Sequence, residues 1–178
     1  MKKILASIAV ATSLLAGGTA FAQTEKPTVV LVHGAFADAS SWNGVVGILE
    51  KDGYHVIAAA NPLRGVRSDA DSVASILSSV QSPVVLVGHS YGGNVISAAA
   101  NGHANVKALV YVSAFAPDTG ETVAGLAGKF PGSTLGPTLA APVALADGGK
   151  DLYIRQDKFR DQFAADVPVA EAALMAAT

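Results

Sequence analysis

The stretch Val84-Val85-Leu86-Val87-Gly88-His89-Ser90-Tyr91-Gly92-Gly93 decides the fold. It begins as a short apolar, β-branched run, passes through G-x-S-x-G, adds one more small residue, and enters a helix-like segment from Asn94 to Ala100. A nucleophile elbow requires that order. A buried strand delivers the serine to the top of a sheet, a tight strained turn exposes it, and a helix starts directly behind. Glycines on both sides leave room for strand and helix to pass. The helix aims its N-terminal N–H groups and positive dipole end at an oxyanion formed next to the serine. G-x-S-x-G alone occurs by chance in many chains, and the flanking strand and helix are what give it weight. The competing reading is a structural serine in a glycine turn.

Working outward, Thr28-Val29-Val30-Leu31-Val32 is a continuous apolar run, as in a buried parallel strand, and it leads into His33-Gly34-Ala35. Ser40 or Ser41 is placed to cap the next helix, with Trp42, Val45, Val46 and Leu49 on one face and Gly53 ending it. His55 to Ala59 reads as a second strand and Asn61 to Gly65 as a loop. Ser68 with Asp71 resembles a capping box, and Val73, Ile76, Leu77 and Val80 form the apolar face of a second helix. Asn101-Gly102 supplies a C-cap after the elbow helix, and Val106 to Val112 is a fourth strand. Strands alternating with helices across short loops predict an α/β fold, a parallel doubly wound sheet with helices on both faces.

The 178 residues suggest one domain. The composition is 51% hydrophobic and 15% charged, which excludes a disordered chain. A net charge of -2 without a basic patch argues against nucleic acid as a partner. There are no cysteines, which removes disulfides, thiolate metal sites and a cysteine nucleophile. No metal or other cofactor is expected.

The N-terminus reads as an export signal. Lys2 and Lys3 precede an apolar run from Ile4 to Leu15, and Ala20-Phe21-Ala22 is an A-x-A cleavage site. Cleavage after Ala22 would leave residues 23–178 in the periplasm or outside the cell with no stable membrane span. The alternative is an uncleaved anchor helix, which Gly17, Gly18 and the cleavage site disfavour. Residues 27–116 form the expected core. After Ala116-Pro117 the pattern changes: Gly, Pro, Ala and Thr dominate from Pro131 to Gly149, and Asp166-Val167-Pro168 marks a last helix running to the chain end. Residues 117–178 read as a cap laid over the sheet, or else as a poorly packed tail.

Val30 to Ala35, the Trp42 region, Asn61-Pro62-Leu63, Gly88 to Gly93, and Tyr111-Val112 through Pro117-Asp118-Thr119 together resemble the α/β-hydrolases. They are most similar to the cofactor-free branch of plant hydroxynitrile lyases, methyl-ester-cleaving esterases and bacterial homologues. The resemblance implies that Ser90 is the nucleophile and that the backbone N–H groups of Ala35 and Tyr91 form the oxyanion hole. His33, Gly34, Gly88, His89 and Gly92 would support that motif.

A serine hydroxyl needs a base within hydrogen-bond reach and an acid to orient the base. In this fold their order is Ser, then Asp or Glu, then His. His103 is the only histidine after Ser90, and thirteen helical residues would hold the two roughly 20 Å apart. His89 inside the elbow and His55 at a strand start read as structural; His33, beside the oxyanion loop, supports that loop by the resemblance, with a surrogate base for Ser90 as the alternative reading. Asp118 reads as a turn or helix-cap residue. Asp147, Asp151, Asp157, Asp161 and Asp166 read as solvated charges or caps. The expectation is therefore a fragment of a secreted serine hydrolase. The last strands, the triad acid and the base would be missing, and Val106 to Val112 would be an unprotected edge. The expected substrate is a small carboxylic ester, amide or lactone. A hydroxynitrile-type lyase and an inactive small-molecule-binding protein are the alternatives.

Overall fold

The computed structural model describes residues 26–178. The leader and its cleavage site lie outside the described residues. The core is a four-stranded sheet of β1 (Thr28–Val32), β2 (Val56–Ala59), β3 (Val84–His89) and β4 (Val106–Val112) in the order β2-β1-β3-β4. Every pairing is parallel. Three core helices connect the strands: α1 (Asn43–Lys51), α2 (Val66–Ser79) and α3 (Gly92–Ala99).

Side-chain alternation along a strand divides the core into two layers. Val30, Val32, Val84 and Leu86 face α2 and α3, where Val73, Leu77, Val95 and Ile96 meet them. Val29, Leu31 and Val87 face the other way, toward Trp42 and α1. All five residues of β1 are buried because both faces are covered and strands flank it on both sides. That double burial is why its sequence is continuously apolar instead of alternating.

The helix starts differ from expectation. Asp38, not Ser40 or Ser41, caps the 3-10 turn Ala39–Trp42 by accepting the Ser40 N–H, and α1 follows that turn with no side-chain cap. Val45 is exposed and so leaves the predicted apolar face. α2 begins at Val66 behind Gly65, which has φ 147°, so Ser68 lies inside the helix and makes no capping box with Asp71. Sequence signals fix a helix's existence better than its first residue, because several Ser and Asp side chains compete for the same N–H groups.

β4 is different in kind. It is apolar, but it forms one edge of the sheet, and Leu109, Val110, Tyr111 and Val112 are all exposed. An uncovered apolar edge is a surface on which another strand pairs readily.

Residues after β4 form a second, smaller packing unit. α4 (Val123–Gly128) comes first and buries no residue; after it come a hairpin of β5 (Val143–Ala144) and β6 (Lys150–Asp151), then α5 (Gln156–Phe163) and α6 (Val169–Met175), and the packing unit is built on these last two helices. Ile154, Phe159, Ala164 and Ala172 are its buried centre. Phe36 from the core packs edge-on against Phe163, with ring centroids 6.3 Å apart. The ion pair from Arg64 to Asp151 makes a second tie to the core.

Candidate active site

From β1 the chain steps outward through α1 to β2, then returns through α2 past β1 to β3. The connections after β1 and β3 therefore diverge, and they leave a crevice at the carboxyl ends of these strands, where open α/β sheets bind ligands. The loop after β1 carries His33-Gly34-Ala35, and the turn after β3 carries Ser90-Tyr91.

The turn is strained where the elbow reading requires it. Ser90 has φ 51°, in the left-handed region, which costs a non-glycine residue about 1–3 kcal/mol. Its backbone is held by the end of β4 and the loop behind it: the Ser90 N–H donates to the Val112 carbonyl at 3.3 Å, and the Ser90 carbonyl accepts from the Phe115 N–H at 3.1 Å. Close approach explains the flanking glycines. A Cβ on Gly88 would lie 2.6 Å from the Gly92 carbonyl oxygen, and one on Gly92 would lie 2.5 Å from that of Val32. A Cβ on Gly34 would come within 2.8 Å of the Ser90 Cβ, so the loop after β1 lies directly against the serine.

Among the described residues, neither the Ala35 nor the Tyr91 amide donates to a protein acceptor. Both residues line a cavity of about 420 Å³, within the range of small-molecule sites. Leu63, Arg64, Tyr153 and Phe159 form other parts of its wall. Ser90 is half-buried beside this cavity and is not part of its wall.

Among the described residues no histidine is hydrogen-bonded to Ser90. His33 is buried, and both its ring nitrogens are engaged. The Asn61 N–H donates to Nε2 at 3.0 Å, which leaves the proton on Nδ1 to donate to the Gly34 carbonyl at 2.9 Å. His33 thus ties the loop after β1 to the end of β2. His89 turns to the α1 face, edge-on to Trp42 at 6.3 Å. His55 and His103 precede β2 and β4, at the opposite end of the sheet. Because His89 pairs with Val112 while Val84 pairs with Val106, a strand length of roughly 20 Å separates His103 from the turn.

The carboxylates divide similarly. Asp118 sits in an exposed turn whose N–H donates to Glu121 Oε2 at 2.8 Å. Asp147 accepts the Gly149 N–H in the hairpin turn. Asp157 and Asp161 pair with neighbouring cations at the surface. Asp151, expected as a solvated charge, instead bonds Arg64 at 2.5 Å, and both residues line the cavity. Sequence reading placed Asn61 in a matching segment without its role of positioning His33, and it missed Asp69, a fully buried carboxylate that accepts the Tyr91 hydroxyl at 2.7 Å. Burial, followed by that hydrogen bond, raises the Tyr91 pKa and keeps the phenol a proton donor.

Burial, and to a lesser degree His33, lowers the His89 pKa below its ordinary 6.5. The unfolded chain therefore takes up the proton first. Stability from this residue is present above about pH 6.5 and is lost as pH falls through the lower folded value. The urea midpoint is expected to drop between pH 7.5 and 5.5, with a smaller drop for His89→Gln. Equal drops in the two proteins would contradict this assignment.

A family model described as "Alpha/beta hydrolase family" matches residues 29–178. The chain is 31% identical over 113 residues to a carbendazim hydrolyzing esterase of Nocardioides sp. (strain SG-4G), covering 56% of this chain and 47% of the relative. It is 33% identical over 104 residues to an alpha-hydroxynitrile lyase of Arabidopsis thaliana, covering 51% and 40%. Among solved structures it resembles an extracellular alpha/beta-hydrolase from a Paenibacillus species. The TM-score is 0.64 at 25% identity, over 85% of this chain and 65% of that one. The chain spans about half the length of these curated relatives.

Proposed function

The chain belongs to the alpha/beta hydrolase family, and we propose that it is the nucleophile-bearing part of a secreted serine hydrolase acting on small carboxylic esters, amides or lactones. The observation that carries this reading is Ser90 at φ 51°, against a loop and a turn that present two unpaired amides. In the proposed step the Ser90 hydroxyl oxygen bonds to the acyl carbon. The hydroxyl proton passes to a base, and the carbonyl oxygen, now negative, is met by the Ala35 and Tyr91 N–H groups. The base hands that proton to the leaving group as its bond to the acyl carbon breaks, then takes a proton from the water that attacks the acyl-serine and returns it to Ser90 as the acid is released.

The base and its orienting acid come, in this reading, from polypeptide that pairs with β4. The exposed apolar side chains of β4 and the engagement of both His33 nitrogens support that view. The coding sequence downstream of codon 178 tests it. An in-frame aspartate followed by a G-x-x-H-like segment is the expected finding. A frame closed without either would favour a binder of small apolar acids or esters.

Export rests on the leader motif, and one structural relative is described as extracellular. Among the described residues no helix is long and apolar enough to cross a membrane. N-terminal sequencing of the exported protein should begin at Gln23, and an intact Met1 in the exported fraction would refute cleavage.

A further inference from the structure

We propose that Asp69 is a positioning residue for this site: its carboxylate holds the Tyr91 end of the elbow and the Leu63–Gly65 wall of the cavity in one register. The inference rests on the Ser90 reading above.

The buried stripe of α2 runs through Asp69, Val73 and Leu77, each at most 1% exposed. Spaced four residues apart, these positions share one helix face. A carboxylate therefore stands where the pattern calls for an apolar side chain. Burying a carboxylate is costly unless its oxygens are paired, and an apolar replacement of similar size is often no less stable. Packing alone gives no reason for an aspartate here, whereas its partners do.

Asp69 Oδ2 accepts the Tyr91 hydroxyl at 2.7 Å, and Oδ1 accepts the Arg64 N–H at 2.9 Å. Arg64 lies in the loop after β2 and Tyr91 in the turn after β3, so one side chain joins two strand ends. Leu63, beside Arg64, has φ 56°, and the bond to Arg64 fixes the backbone next to that strained residue. Leu63, Arg64, Gly65 and Tyr91 all line the cavity. The Arg64 guanidinium continues to Asp151 of β6. Tyr91 contributes both the anchored phenol and the amide proposed to meet the oxyanion, so a phenol that swings free lets that amide tilt.

The test is phosphonylation of Ser90 in the mature chain by a fluorophosphonate, with imidazole added as external base. The Ser90 oxygen bonds to phosphorus, fluoride leaves, and the hydroxyl proton passes to imidazole. Asp69→Leu should lower the maximal rate about 10- to 100-fold with probe affinity unchanged. Asp69→Asn should stay within about threefold of wild type, since its oxygen can accept from Arg64 while its NH₂ donates to the Tyr91 oxygen. Rescue by asparagine distinguishes positioning from packing. Should Asp69→Leu fail to fold, Tyr91→Phe carries the test with an expected loss of about fivefold, a fraction of what one displaced donor costs. A wild-type rate in a folded Asp69→Leu or Tyr91→Phe protein overturns the proposal. If wild type itself is not labelled, the nucleophile reading fails separately. The Tyr91 amide resonance then decides for Asp69: it should shift in Asp69→Leu and hold in Asp69→Asn, and an unmoved resonance in Asp69→Leu overturns the role.

Discussion

Gly92→Ala should cost the domain about 3 kcal/mol, the upper end of what overpacking a core does. The added Cβ would sit 2.5 Å from the Val32 carbonyl oxygen and 2.9 Å from that of His33. Both are backbone atoms at the end of β1, a strand paired on both sides and buried along its length, so neither can retreat. Alanine's better helix propensity returns about 1 kcal/mol at most. Against a typical total of about 5–15 kcal/mol, that loss shifts the urea midpoint visibly. Gly47→Ala is the control. Gly47 lies inside α1 with nothing within 4 Å of its added Cβ, so the same change there should stabilise by up to about 1 kcal/mol. Equal midpoints for the two variants would mean that the elbow is not packed against β1 as described.

The largest effect concerns activity. Residues 23–178 alone should turn over p-nitrophenyl acetate no faster than their Ser90→Ala variant. Removing the histidine from a serine hydrolase costs on the order of a million-fold. Among the described residues no histidine is hydrogen-bonded to Ser90: His33 has both nitrogens engaged, the His89 ring stands edge-on to Trp42, and His103 is a strand length away. Joining the chain to a segment that supplies a paired strand, an aspartate and a histidine should restore most of that factor. Rapid turnover by the unaided chain, abolished in Ser90→Ala, would show that a base exists which this geometry does not identify.

The sheet was legible because its strands are unbroken apolar runs between turn residues, and a parallel sheet buried on both faces demands such runs. Which residues face which layer was not legible, because β1 and β3 are apolar on both faces. Helix starts were less legible: Asp38 outcompeted Ser40 and Ser41 because it lies one residue before the 3-10 turn, where its carboxylate can accept the Ser40 N–H. The positions of Ala35 and Ser90 were readable from local motifs, since each follows its strand directly. Asn61 and Asp69 were not, because their partners lie 28 and 22 residues away and only the folded sheet brings them together. In hindsight one signal was available, a charged residue on the buried stripe of α2. Asp151 escaped for the same reason, since its tie to Arg64 spans 87 residues.

Peptide mapping by mass spectrometry after incubation with a fluorophosphonate and imidazole tests the central claim most directly. A single adduct on Ser90, forming faster as imidazole rises and absent from Ser90→Ala, is the predicted result. A chain that stays unmodified at every imidazole concentration, or an adduct on another residue with Ser90 untouched, would contradict it.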